Sequence, residues 1–125
     1  MQFMDTSYRA WIGVGALAGL LAVAAAAGTA HLTGLGADGR SLASAVQMHG
    51  WHALALVAVG LLGARGGRLG HFAGAAFMVG LVLFCGTIYL SAVGGPRLVA
   101  AAPAGGTAFM LGWGLLGFAA LRNRS

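Results

Sequence analysis

Long apolar runs punctuated by isolated charges make up this chain. Four windows, 10–37, 41–64, 69–96 and 98–121, lie between Arg9 and Asp38, Arg40 and Arg65, Arg68 and Arg97, and Arg97 and Arg122, each at least 24 residues long and free of formal charge. A helix of about 20 apolar residues crosses a hydrocarbon core of roughly 30 Å, so each window predicts one transmembrane helix. The other structure able to span lipid, a closed barrel, needs segments of about ten residues that alternate apolar and polar positions. These runs are uniformly Ala, Leu, Gly and Val. The expected spans are 10–30, 42–63, 69–93 and 99–121, in one membrane domain covering residues 1–125. Short connections make consecutive helices antiparallel neighbours. The predicted fold is therefore all-α, an integral membrane four-helix bundle of up-down topology.

Composition sharpens that picture. The chain is 59% apolar and 7% charged, whereas soluble domains devote about a quarter of their residues to charge. A water-soluble enzyme is excluded. The net charge of +5 comes from seven Arg against Asp5 and Asp38, with no Lys and no Glu. These Arg sit singly or in pairs at the ends of apolar runs and form no basic face, so nucleic acid is not an expected partner. Their distribution sets orientation instead. Arg9, Arg65, Arg68, Arg122 and Arg124 fall on one side, Arg40 and Arg97 on the other. By the positive-inside rule both termini are expected in the cytoplasm of a bacterial inner-membrane protein. The first apolar stretch exceeds the core of a signal peptide and is expected to be a retained span. In the first connection, 33–41, Asp38 with Gly39 is a turn signal, and Asp38 and Arg40 are placed to pair.

Ionisable groups inside a membrane are costly and hence informative. His31 ends the first span at the outer boundary, and His49 and His52 lie one and two turns inside the second, three residues apart on one face. Cys85, Thr87 and Tyr89 belong to the outer half of the third span, while His71 lies at its cytoplasmic end. Pro103, Gly105 and Gly106 are about one turn into the fourth. An outer-half polar network of His31, His49, His52, Cys85, Thr87 and Tyr89 is thus the candidate site, with His52 expected to bond Tyr89 or Thr87. One reading is an interhelical network that sets register. Another makes His31, His49, His52 and Met48 ligands of copper, zinc or haem, or contacts of a quinone or lipid head. The loose spacing and the lack of a carboxylate to orient an imidazole favour the first, so no metal and no cofactor is expected. Cys85, alone in an apolar run, has no partner for a disulfide or a CxxC site and no acid to complete a triad. No catalytic residue is expected.

Small residues at fourfold spacing let helix backbones approach in lipid. Gly15 with Gly19, Gly70 with Gly74, and Gly86, Gly105 and Gly106 are read as packing positions, as is Trp113 among the methionines.

The ordered segments Gly28-Thr29-Ala30-His31, His49-Gly50-Trp51-His52-Ala53-Leu54-Ala55, Leu83-Phe84-Cys85-Gly86-Thr87-Ile88-Tyr89, Pro103-Ala104-Gly105-Gly106 and Gly112-Trp113 together resemble the small four-span inner-membrane proteins grouped as domain of unknown function 423. In that pattern Gly-Ala-His ends the first helix, an aromatic-His-Ala-Leu run opens the second, Leu-Phe-Ser-Gly-Ser-Leu-Tyr lies in the third, and Pro-Ile-Gly-Gly precedes Gly-Trp in the fourth. His31 and His52 fall on the family's two histidines, and Tyr89, Pro103, Gly105, Gly106 and Trp113 on their counterparts. Here His49 replaces a usual Gln or other polar residue, and Cys85 a usual Ser. The resemblance implies a fold and carries no activity. The expected role is that of an accessory or structural subunit, packed in lipid against other membrane subunits of a larger complex, respiratory assemblies among the hosts, or against its own copies. A metal, haem or quinone protein is the first alternative, and a small-solute transporter or channel the second.

Overall fold

A computed structural model describes residues 5–32 and 37–122 of the chain, and every element among them is helical. Helix α1 runs Thr6–Thr29 and α2 Ala37–Leu62. A 3-10 turn, Gly63–Gly66, leads into α3, Gly67–Gly80. A π-helical turn, Leu81–Gly86, joins α3 to α4, Thr87–Ala92, and α5 covers Ala101–Arg122. Three stretches are long and apolar enough to cross a membrane: 6–29, 39–92 and 101–122. Straightened out, the middle stretch of 54 residues would reach about 80 Å at 1.5 Å per residue. It is folded back on itself, because Tyr89 and Cys85 bond His49 and the Ala45 carbonyl of α2.

Local chemistry sets the ends. Asp5 caps α1, its carboxylate accepting from the Ser7 amide at 3.3 Å, which satisfies a free donor and suits the positive end of the helix. The reversal after α2 depends on Gly63 and Gly67, at φ of 58° and 55°, in the left-handed region that glycine enters without a Cβ clash. At the end of α4 the Gly95 amide bonds the Leu90 carbonyl at 2.9 Å and Pro96 follows, so the helix stops there. Helix α2 begins at Ala37, which corrects the turn expected at Asp38 and Gly39: both lie in its first turn. The Asp38 side chain, and with it the Asp38 and Arg40 pair, lies outside the described residues, as does Arg124.

The expected third span, 69–93, is not one uninterrupted α-helix. The π turn inserts a residue, which rotates the face beyond it by about 100°. The Thr87 hydroxyl donates to the Leu83 carbonyl at 2.6 Å and lies 3.3 Å from that of Phe84, shielding the loosened backbone. Packing explains the insertion, since a methyl placed on Gly105 would run into the backbone of Phe84. The wide turn is thus in direct contact with α5.

Glycine works in two ways between the helices. Where α1 meets α2, a methyl on Gly15 would sit 2.8 Å from the Val57 nitrogen and 2.9 Å from the Ala53 carbonyl oxygen, and one on Gly60 would sit 2.7 Å from the Tyr8 carbonyl oxygen. There the main chains themselves touch. Between α3 and α5 the missing side chains admit rings: Phe109 fills the space over Gly80, and Phe77 that over Gly112. Gly74 in the same way receives Trp11. The other expected packing glycines differ. Gly19 and Gly86 have only ordinary contacts at 3.9 Å, and the sites of Gly70 and Gly106 have nothing within 4 Å. Pro103 is exposed in the first turn of α5, its carbonyl accepting from Thr107 at 3.0 Å.

Candidate functional site

The face that α2 turns inward carries Leu42, Ala45, His49, His52, Leu56 and Val59, all buried. Their alternating spacing of three and four is the heptad seam of a helix packed against neighbours. Two of its positions hold imidazoles where apolar residues are usual. Although they share a face, the two histidines serve different helices.

His52 is 2% exposed. Its ring lies flat on Phe109, with centroids 3.6 Å apart and planes 15° from parallel, and meets the edges of Phe77 and Trp113. Nδ1 is 2.6 Å from the Met48 carbonyl oxygen, one turn back in α2. That oxygen can only accept, so Nδ1 carries the proton. On the other side Trp113 Nε1 donates to Nε2 at 3.0 Å. Indole is donor-only, so Nε2 offers its lone pair. The two bonds together specify the neutral, Nδ1-protonated tautomer, with neither nitrogen available to a metal. The expected bond of His52 to Tyr89 or Thr87 is therefore corrected. Trp113, read as plain packing, is the donor.

His49 takes the Tyr89 partnership. Its Nδ1 lies 3.0 Å from the Tyr89 hydroxyl, so this side chain of α2 reaches α4. Cys85 donates its thiol to the Ala45 carbonyl at 3.3 Å, one turn from His49 on the same seam. Among the described residues, Thr87 bonds within its own stretch of helix, and His31 stays exposed in the turn after α1. The structure thus brings together His49, Tyr89, His52 and Cys85 along α2, and leaves His31 and Thr87 apart from them. Among the described residues, no group of three or more His, Cys, Asp or Glu is placed to hold a metal ion.

A second polar pair went unread in the sequence. Trp11 Nε1 of α1 donates to His71 Nδ1 of α3 at 2.9 Å, and Tyr8 stacks on His71 at 5.0 Å. The signal available was chemical: a half-buried indole needs an acceptor, and His71 is the ionisable group at matching depth. Counting these bonds, no buried side-chain nitrogen or oxygen among the described residues lacks a hydrogen-bond partner.

Comparison with known proteins places the chain. It is 26% identical over 114 residues to a UPF0382 membrane protein of Haemophilus influenzae, covering 88% of this chain and 92% of that relative. No solved structure matches. The family model described as "Protein of unknown function (DUF423)" matches residues 21–106, a stretch that holds His31, the α2 seam, the π turn and the start of α5. This chain belongs to that family.

Proposed function

We propose that this protein is a non-catalytic, four-span protein of a bacterial inner membrane, with both termini cytoplasmic, that acts as a structural or accessory subunit. The observation that carries this reading is the use made of the buried polar groups. Trp113 to His52, Tyr89 with His49, Cys85 to Ala45 and Trp11 to His71 each join two helices. Chemistry at His52 would first have to break the bond that ties α2 to α5. The same commitment opposes a metal or haem bound through His52, and a proton carried by it. The four-span count is supported by the fold-back at Gly63–Gly67, and the orientation by the grouping of Arg9, Arg65, Arg68 and Arg122 at the end where Tyr8, Trp11 and His71 meet.

The accessory role is tested in native membranes. Solubilised in mild detergent, the tagged protein is expected to migrate with a larger membrane assembly or as an oligomer, and its absorption spectrum and metal content to be blank. A stable isolated monomer sinks the accessory reading. A stoichiometric metal or chromophore sinks the non-catalytic one in favour of a redox or metal protein.

A further inference from the structure

At the Arg97 end of the bundle the helices part around a cavity of about 390 Å³. Its wall combines the ends of several elements: Ser41 and Leu42 open α2, Ile88 and Ser91 belong to α4, and Arg97 and Val99 lie in the link to α5. The lining joins one guanidinium and the hydroxyl side chains of Ser41, Thr87 and Ser91 to aliphatic side chains. The surroundings grade in the same sense. Leu42 is 4% exposed, whereas Val99 is 85% exposed, so the wall runs from the protein core to its outer apolar surface. Such a site suits a molecule with a polar end and a greasy end.

We propose that this cavity holds the phosphate head of an anionic phospholipid, its chains continuing into the bilayer. A guanidinium presents a fork of five N–H donors that matches phosphate geometry. Arg97 makes another interaction in the structure, and the fork lets it serve an anion as well. The cavity lies near the low end of the roughly 300–1,000 Å³ of ligand pockets, room for a head group with the chains left in the bilayer. Basic pockets between membrane helices on the cytoplasmic side bind anionic heads by this chemistry, and in the proposed orientation the same chemistry stands at the opposite face. Free phosphate shares the anion but gains nothing from Leu42, Ile88 and Val99, and this is why the lipid is chosen. The inference does not depend on the accessory role.

Full-length protein, stripped of lipid in detergent, is mixed with phosphatidylglycerol, phosphatidylcholine or inorganic phosphate, and the bound species are read by native mass spectrometry. Wild type and Arg40→Gln, a charge at the same end but outside the cavity wall, are expected to retain one phosphatidylglycerol per chain. Arg97→Gln is expected to bind it about tenfold more weakly, the loss of one charged hydrogen-bonded contact. Ser91→Phe, which fills the cavity and leaves Arg97 in place, weakens it likewise, and melting curves confirm that each variant is folded. Equal retention in all four proteins overturns the proposal, as does phosphatidylcholine held as tightly as phosphatidylglycerol. Displacement of the lipid by equimolar inorganic phosphate overturns it in favour of a free-phosphate site.

Discussion

His52 illustrates what one polar side chain can do when surrounded by rings and lipid. Its two nitrogens and one face are all engaged, by Met48, Trp113 and Phe109. Hydrogen bonds between membrane helices contribute about 0.6 kcal/mol on average and at most about 1.7. Trp113→Phe keeps an aromatic ring but removes the donor and part of the indole volume packed on His52 and Phe77, and is expected to lower stability by about 2 kcal/mol. His52→Ala also leaves a hole beneath Phe109, at a cost of about 3 kcal/mol. In a double-mutant cycle read by reversible unfolding in mixed micelles, the two changes are expected to couple by about 1 kcal/mol. Strict additivity would remove the bond from the account. The identity of the polar residues was legible in the sequence, since imidazoles in an apolar run stand out. Their partners were not. Depth along a span can be counted from charges, but the direction in which His49 and His52 point depends on rotations of α4 and α5 that only packing decides.

Elements differ in how they adhere. Helices α1 and α2 meet backbone to backbone at Gly15 and Gly60, while α3 and α5 exchange rings and gaps through Phe77 with Gly112 and Phe109 with Gly80. A methyl on Gly112 would lie 2.5 Å from the Phe77 ring, whereas one on Gly114 meets nothing within 4 Å. Gly112→Ala is accordingly expected to destabilise by about 1–3 kcal/mol through overpacking, and Gly114→Ala, mid-helix and with open space around it, to stabilise by about 0.5–1 kcal/mol. Equal thermal shifts in detergent would contradict this packing. Helix positions could be read from charge spacing because lipid demands uninterrupted apolar runs. The α2 seam at 42, 45, 49, 52, 56 and 59 was equally present in the sequence, as a heptad obscured by the surrounding alanines. Nothing local marks the π turn. Leu81–Gly86 is as apolar as its neighbours, and its extra residue follows from the seat of Phe84 on Gly105, two segments far apart in the chain.

The molecule as a whole wears its apolar residues outside. Val23, Leu54, Met110 and Val99 are between 69% and 85% exposed, while the buried seam contains histidines, an inversion that makes sense only in an apolar solvent. The proposed topology can be checked with single cysteines at Ala64, beside the glycine reversal, and at Ala100, in the link to α5, after Cys85→Ser has removed the native thiol. A membrane-impermeant maleimide added to intact spheroplasts is expected to label Ala100→Cys, and to label Ala64→Cys only after lysis. Labelling of both from outside would refute the four-span arrangement, and the opposite pattern its orientation.

Trp11 and His71 are 60 residues apart in the chain, and His52 and Trp113 are 61 apart. During synthesis the first pair can form once α3 is in the bilayer, but His52 must wait for α5. Until then one imidazole nitrogen has no partner, and an unpaired polar group in apolar surroundings costs free energy. The indole at position 113 is thus the last partner to be delivered, and a chain cut short before α5 is expected to melt below the full-length protein in detergent.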